Sequence, residues 1–298
     1  MGNKHTAMRD CYIIPYRNKI GIIGGTGKMG TAFKNAFESI GLEVLISDES
    51  SPEKEKHILK NCDWIILSVP IDQTVSVFNR IKNNISKDQI FSDFTSVKSI
   101  LLDHVQECEF EFISCHPLFG PLNNFNGQNI VTIPVNTSDK HIYIDKIFKK
   151  LELKVTQLKD FEEHDRYMSL IQGMTHFSHV CFTTAMKKMD LDLDKIMDIC
   201  SPIYQSNISF SSRITGGDEN LYTNIIMDNP INKEVIDMYL DTSKEISSLI
   251  DNKDYESFKK NFIENRKYLK KHMPNMIDQS NFLVDKMAEF KKGSKDSD

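Results

Sequence analysis

Lys19-Ile-Gly-Ile-Ile23, running into Gly24-Gly25-Thr26-Gly27-Lys28-Met29-Gly30, decides how the first half of the chain is read. The β-branched run is a buried strand by composition, and the glycines turn it into a helix expected over residues 28–40. Gly25-x-Gly27-x-x-Gly30 has the spacing of a dinucleotide fingerprint. In that reading Gly25 permits the tight turn, Gly27 lets backbone approach a pyrophosphate, and Gly30 lets the helix pack on the strand. The first N–H groups of the helix, with its dipole, would hold the phosphates. Gly25, Thr26, Gly27, Lys28, Met29 and Gly30 are therefore candidate cofactor-binding residues. A second strand, Glu43–Ser47, leads to Asp48, 18 residues past Gly30. An acid there suits a ribose 2′-OH and repels a 2′-phosphate, so NAD is expected over NADP, and Glu49 adds to the repulsion.

Outward from this stretch, β-branched runs keep alternating with helical patterns. Further strands are expected at Trp64–Val69, Gln89–Asp93, Glu111–Ser114, Asn129–Ile133 and Lys154–Thr156. Helices are expected near 53–61, 72–84, 97–107 and 138–151. That alternation predicts parallel βαβ units. Beyond Asp160 the strand runs stop and helical patterns continue to about Phe290. The fold class is thus an α/β Rossmann-type N-terminal domain followed by an all-α C-terminal domain. The expected division is a 1–18 extension, a 19–158 NAD-binding domain, a 159–290 helical domain and a 291–298 polar tail.

Composition excludes several classes. Forty per cent apolar and 27% charged residues are ordinary globular values, and a net charge of −5 argues against nucleic acid as the partner. No apolar run is long enough for a membrane span, and the first residues lack a secretory signal. The six cysteines form no CxxC pair and read as reduced, so a cytoplasmic protein is expected.

Ligands in a doubly wound sheet lie beyond the carboxyl ends of the strands. Ser68, Val69 and Pro70, ending the third strand, would flank the nicotinamide side of a bound cofactor, or simply terminate the strand. Asp93-Phe-Thr-Ser-Val-Lys98 ends the fourth. Thr95 or Ser96 can N-cap the helix that follows. Lys98, in the first turn of that helix, opposes the dipole and suggests an anion nearby. The fifth strand runs into Cys115-His116-Pro117-Leu118-Phe119-Gly120-Pro121, which places His116 on a stiff loop. An imidazole there suits proton abstraction from an alcohol during hydride transfer. In the helical half, Glu163–His179 reads as one helix, apolar around most of its circumference and hence buried, at roughly 100° per residue. His164, Gln172, His176 and His179 fall on one polar stripe that needs partners, from protein or from ligand. His176-x-x-His179 has no third ligand at recognisable spacing, so no metal is expected.

GGTGKMG, DFTSVK, HPLFGP, EHDRYMSLIQGMTHF, SPIY and ENLYTNIIMDNP, in that order, resemble the prephenate dehydrogenase family. The likeness is strongest to the dehydrogenase half of bifunctional chorismate mutase–prephenate dehydrogenases (T-proteins), and covers about residues 18 to 285. It implies an oxidoreductase of tyrosine biosynthesis that carries out NAD-dependent oxidative decarboxylation of prephenate to 4-hydroxyphenylpyruvate. It also implies a homodimer formed by the helical domain, with tyrosine a possible feedback inhibitor. Position by position, the resemblance implies that His116 is the catalytic base, Ser96 orients it and the substrate, and Lys98 serves substrate binding and catalysis. It implies that Arg213 holds a prephenate carboxylate, with Tyr222, His176, His179 and Gln172 also on the substrate side. Two departures stand out: Gln205 replaces the arginine of SPIYR, and Leu118 replaces the methionine of HPMFGP.

The chemistry suits these residue types. Loss of hydride from C4 and of the ring carboxylate as CO2 yields an aromatic ring, so the site must bind a dianion and deprotonate a hydroxyl. Arginine suits bidentate carboxylate binding, and a histidine supplies the base. Arogenate, the amino analogue, remains an alternative substrate. A β-hydroxyacid reductase would carry GxxxK in the helical half, but Gly173 is followed by Phe177. An inactive NAD-binding regulatory protein would have lost His116 or Arg213, and both stand. Eighteen residues before the first strand are too few for a chorismate mutase domain, so a monofunctional enzyme or a fragment of a fusion is expected.

Overall fold

Strand β1 (Lys19–Ile23) pairs in parallel with β2 (Glu43–Ser47) on one side and with β3 (Trp64–Leu67) on the other. Buried on both faces, it reads as an unbroken apolar run, as interior parallel strands do. The computed structural model describes residues 19–105, 108–136 and 139–295. The expected N-terminal extension and the last three residues of the tail lie outside the described residues, as do the last two positions of the helix expected at 97–107.

Three helices follow from buried residues one turn apart. Helix α1 (Lys28–Ser39) buries Gly30, Phe33 and Phe37. Helix α2 (Pro52–Asn61) starts with proline, whose fixed φ suits a first turn, and buries Ile58 and Leu59. Helix α3 (Ile71–Ile81) buries Ile71, Thr74, Val77, Phe78 and Ile81. The sheet continues through β4 (Ile90–Asp93), β5 (Glu111–Pro117), β6 (Asn129–Pro134) and β7 (Lys154–Gln157), with α4 (Lys140–Lys150) before the last strand. Its order is β2-β1-β3-β4-β5-β6-β7. Helices α2 and α3 share one core with Ile65, Phe91 and Phe112, while α1 and α4 share the other with Trp64, Ile66 and Ile113. The chain leaves β1 toward one edge and returns to build toward the other, so the strand order reverses between β1 and β3. That reversal opens a crevice at the carboxyl ends of the strands.

Three expectations about this unit are corrected. β6 runs antiparallel to β5, not parallel. The connection over 118–128 contains no helix, and a crossover to a parallel neighbour needs a dozen residues or more, usually helical. Second, β5 extends to Pro117, so His116 lies within a strand opposite Val131, not on a loop. Third, the helix expected at 97–107 is a short 3₁₀ segment, Ser99–His104, with Lys98 at its N-cap and no side-chain cap from Thr95 or Ser96.

The chain divides into two units between His164 and Asp165, inside α5 (Phe161–Met168), beyond the expected division at 158 where the last strand ends. The second unit holds α6 (Thr175–Met189), α7 (Leu193–Ile199), α8 (Pro202–Thr215), α9 (Glu219–Asp228), α10 (Asn232–Asp251), α11 (Tyr255–Leu269) and α12 (Met273–Lys295). Between α5 and α6 the backbone is π-helical over Ser169–Met174. The single helix expected over 163–179 is therefore interrupted, and a uniform advance per residue does not describe its faces. Tyr167, Leu170 and Ile171, expected to be buried, are exposed in the single chain. No helix among the described residues is long and apolar enough to cross a membrane.

Gly30 packs directly against main chain. A Cβ there would stand 2.6 Å from the Gly24 carbonyl oxygen and 2.7 Å from Gly25 Cα. Both are main-chain atoms, so relief requires α1 to lift off its turn. Gly30→Ala is expected to cost about 1–3 kcal/mol, the usual range for overpacking, and to lower the calorimetric melting temperature by several degrees. An unchanged melting temperature would show that turn and helix separate freely.

Candidate active site

The glycine turn sits at the reversal between β1 and β3. Gly24, not Gly25, takes the left-handed conformation, with φ of 82°, so the tight turn is one residue earlier than the motif implies. Its N–H and that of Gly25 both donate to the Ser47 carbonyl, at 2.8 and 3.0 Å. Gly25 instead passes close to β2, where a Cβ would stand 2.5 Å from Ile46. Gly24 also abuts the end of β3: a Cβ there would lie 2.3 Å from the Ser68 carbonyl oxygen. Ser68 and Val69 are half-buried beside the turn, and Pro70 is the N-cap residue of α3. Gly27 is the N-cap of α1, and no side chain caps that helix, so its first amides are available to an anion. Thr26 and Lys28 are exposed, and Met29 is half-buried.

Asp48 follows β2 at the same edge. Its carboxylate accepts from the Ser50 hydroxyl at 2.6 Å, the Ser51 hydroxyl at 2.9 Å and the Ser50 N–H at 3.0 Å. These donors, Ser50 first, with a further bond from Thr26, hold its pKa below the usual carboxylate value. A permanent negative charge therefore stands at the end of β2.

A second cluster lies where β4 and β5 end. The fully buried Asp93 accepts from the Ser114 hydroxyl at 2.5 Å, from Lys98 Nζ at 2.6 Å and from the Thr95 N–H at 3.0 Å. Lys98, also fully buried, donates a second bond to the Cys115 carbonyl at 2.7 Å. The anion that the position of Lys98 suggests is thus a protein carboxylate. Ser96 is half-buried two residues before Lys98, and the Thr95 hydroxyl is a buried atom without a hydrogen-bond partner. Next along β5 is His116, 1% exposed, whose Nδ1 lies 2.9 Å from Nε2 of the fully buried His164. Burial, then His164, then the Lys98 charge push the His116 imidazole well below its usual pKa. It is neutral, the form in which a histidine accepts a proton.

The second unit holds the remaining candidates. His176 packs edge-on against Tyr222, with ring centroids 5.0 Å apart. His179 Nδ1 bonds the Ser211 hydroxyl at 2.9 Å, and Gln172 lies in the π-helical segment. Arg213 and Gln205 are on α8, Arg213 exposed and Gln205 half-buried. Of the histidines expected on one stripe, His164 bonds His116 within the first unit, and His176 and His179 make their contacts within the helical unit. Nδ1 of His176 is buried without a hydrogen-bond partner. Among the described residues no group of three potential metal ligands comes together.

Residues 30–156 match the family model described as prephenate dehydrogenase, nucleotide-binding domain, and residues 160–264 match prephenate dehydrogenase, dimerization domain. The chain belongs to the prephenate dehydrogenase family. It is 31% identical over 263 residues to the probable arogenate/prephenate dehydrogenase of Methanocaldococcus jannaschii, covering 81% of this chain and 58% of that relative's length. It is 27% identical to the T-protein of Haemophilus influenzae, over 93% of this chain and 74% of that protein. A solved prephenate dehydrogenase from A. aeolicus, in complex with hydroxyphenyl propionate and NAD+, shares the fold with a TM-score of 0.68 at 18% identity, covering 90% of this chain and 99% of that one.

Two residues at the centre of the first unit, Asp93 and His164, lie within the DFTSVK and EHDRYMSLIQGMTHF motifs but are not among the site residues the resemblance implies. His164 sits 48 positions from His116 and only the tertiary fold brings them together. The helical unit yields a stability prediction. Burial, with His179 beside it, lowers the His176 pKa to about 4. The unfolded chain then takes up a proton near pH 6.5 that the folded chain refuses, so stability is full above that pH and is lost as pH falls toward 4. The urea midpoint should drop on acidification from about pH 7 to 4.5, and drop less in His176→Asn. Parallel curves for the two proteins would contradict the assignment.

Proposed function

We propose that this family member is an NAD-dependent dehydrogenase that converts prephenate to 4-hydroxyphenylpyruvate by oxidative decarboxylation. The observation that carries the reading is a buried, neutral histidine, His116, at the end of β5 in the unit that bears the glycine turn.

The residues present fit the cofactor. Gly24 and Gly25 leave no room for a side chain, and the start of α1 has no side-chain cap. The amides of Lys28, Met29 and Gly30 would hold the pyrophosphate, with Gly27, whose own N–H donates to the Gly24 carbonyl at 3.1 Å, lying against it, and Asp48 would hold the adenosine ribose. Thr26, Ser68, Val69 and Pro70 would border the bound molecule. When bound, NAD supplies the hydride acceptor. The protein's part is then to move a proton and hold an anion. His116 accepts the proton of the C4 hydroxyl as hydride leaves that carbon, and Ser96 orients the hydroxyl. Loss of CO2 completes the aromatic ring, which drives the reaction. Arg213 binds a substrate carboxylate through its planar fork, with Gln172, His176, His179 and Tyr222 on the substrate side. Lys98 acts through its bond to the Cys115 carbonyl, next to His116.

Arogenate is the second reading, favoured by the name of the archaeal relative, which gives both substrates. A homodimer is part of the proposal. Met168 and Ile225 are the only buried apolar side chains among the described residues of the second unit, whereas Ile199, Ile203, Phe210, Met227 and Phe290 are exposed. A second copy of the chain would cover such faces.

Steady-state assays with prephenate and arogenate, each with NAD and NADP, test the reading. NAD should exceed NADP by at least about tenfold in kcat/KM, roughly 1.4 kcal/mol, because Asp48 repels a 2′-phosphate. Equal use of the two would remove the role given to Asp48.

The base and the anchor should fail differently. His116→Asn should lower kcat by about 10² or more with little change in KM. Arg213→Gln should raise KM by about 10² or more, and Arg213→Lys should recover only part of it. Wild-type kcat in His116→Asn would place the base elsewhere.

A further inference from the structure

We propose that His164 is the positioning residue that sets the tautomer of His116, a role that rests on His116 being the base. The two rings meet nitrogen to nitrogen, Nδ1 of His116 to Nε2 of His164, at 2.9 Å. Their planes are tilted by 55° with centroids 5.0 Å apart, so the contact is a hydrogen bond and not a stack. Neither ring is open to solvent, so water cannot take over the bond.

A hydrogen bond between two neutral imidazoles holds one proton. Two facing N–H groups, or two facing lone pairs, repel. Either His116 carries its proton on Nδ1 and donates, or His164 carries one on Nε2 and donates. Only the first leaves a lone pair on Nε2 of His116, the nitrogen a substrate hydroxyl can use. The second puts a proton there and makes His116 useless as a base. With His116 as the base its Nε2 must be bare, so the shared proton lies on Nδ1 of His116 and His164 takes the accepting role across the 2.9 Å contact.

Several features serve that purpose. His164 is in the first turn of α5, where the helix dipole opposes an imidazolium. The turn leading into it is locked twice: Asp160 Oδ1 accepts from Glu163 N at 2.8 Å, and Glu163 Oε2 accepts from Lys159 N at 2.7 Å. His164 N itself donates to the Asp160 carbonyl at 3.2 Å. From the β4 side the pair faces the Lys98 ammonium, neutralised by Asp93. On β5 itself the Cys115 thiol is kept protonated by burial, and β6 presents Val131 opposite His116. When His116 takes a proton on Nε2, its Nδ1–H stays donated to His164, and the new charge strengthens that bond. This is the function of the carboxylate in a Ser-His-Asp triad, performed by a neutral acceptor. Loss of correct tautomer in such a triad costs about 10⁴ in kcat. A neutral acceptor makes a weaker bond, so about 10² is expected here.

The test separates tautomer from packing. His164→Leu should lower kcat about 10²-fold while KM for substrate and Kd for NAD stay within about threefold. His164→Gln, whose amide oxygen reaches the place of Nε2, should recover about tenfold of that loss. Should kcat survive in His164→Leu while His116→Asn abolishes it, the positioning role is wrong and the base stands. If His116→Asn keeps its kcat, the base itself is wrong. Should the Leu variant not fold, ¹⁵N NMR of the histidine-labelled wild type decides, with His116→Asn for assignment. The expected pattern for His116 is a pyrrole-type Nδ1 and a pyridine-type Nε2, and the reverse pattern overturns the proposal.

Discussion

A carboxylate cannot be sealed in a protein interior without donors, and Asp93 is sealed completely. It meets this requirement by collecting the Ser114 hydroxyl, the Lys98 ammonium and the Thr95 amide. Asp93 ends β4, Thr95 and Lys98 lie in the segment after it, and Ser114 is in the middle of β5. One buried charge therefore ties together two neighbouring strands and the segment between them. Lys98, itself held by Asp93, passes the constraint to the Cys115 carbonyl, and the next residue is His116. Removing either partner of a buried pair leaves the other uncompensated, which typically costs about 3–5 kcal/mol. The interaction that stabilises the middle of the sheet thus also positions the imidazole.

The two candidate centres of the first unit were not equally legible in the sequence. The glycine turn and Asp48 form within about thirty residues of continuous chain, so spacing alone conveys their geometry. Even there the motif misplaces the turn by one residue, because it does not record that Gly24 abuts Ser68, just past the end of β3 and 44 positions away. The Asp93–Lys98 pair was half legible. Lys98 opposes the helix dipole and so points to an anion, but a carboxylate five residues earlier reads as an ordinary strand end. His164 was misassigned, because a uniform helical wheel groups it with His176 and His179, and the π-helical segment Ser169–Met174 breaks that wheel. The strand identity of His116 was hidden for a different reason. Proline after histidine suggests a loop, yet β4 pairs with β5 only as far as Phe112, so at Pro117 the strand has β6 alone as a neighbour and tolerates proline as an edge does.

The helical unit shows where apolar content misleads. A helix apolar around its circumference reads as one buried in its own chain, but Tyr167, Leu170 and Ile171 face outward here. Periodicity reports which residues avoid water, not which molecule shields them. The dimerization-domain match over 160–264 agrees with that distinction.

The π-helical turn has a consequence for which changes of length the chain tolerates. Such a turn usually corresponds to one residue more than a regular helix would use. Deleting a single residue between Ser169 and Met174 would let the backbone close into an ordinary helix, and everything downstream in α6 would swing by about 100° about the axis. His176 would then leave the Tyr222 ring and His179 the Ser211 hydroxyl, though neither had been substituted. In this stretch the count of residues carries as much information as their identity.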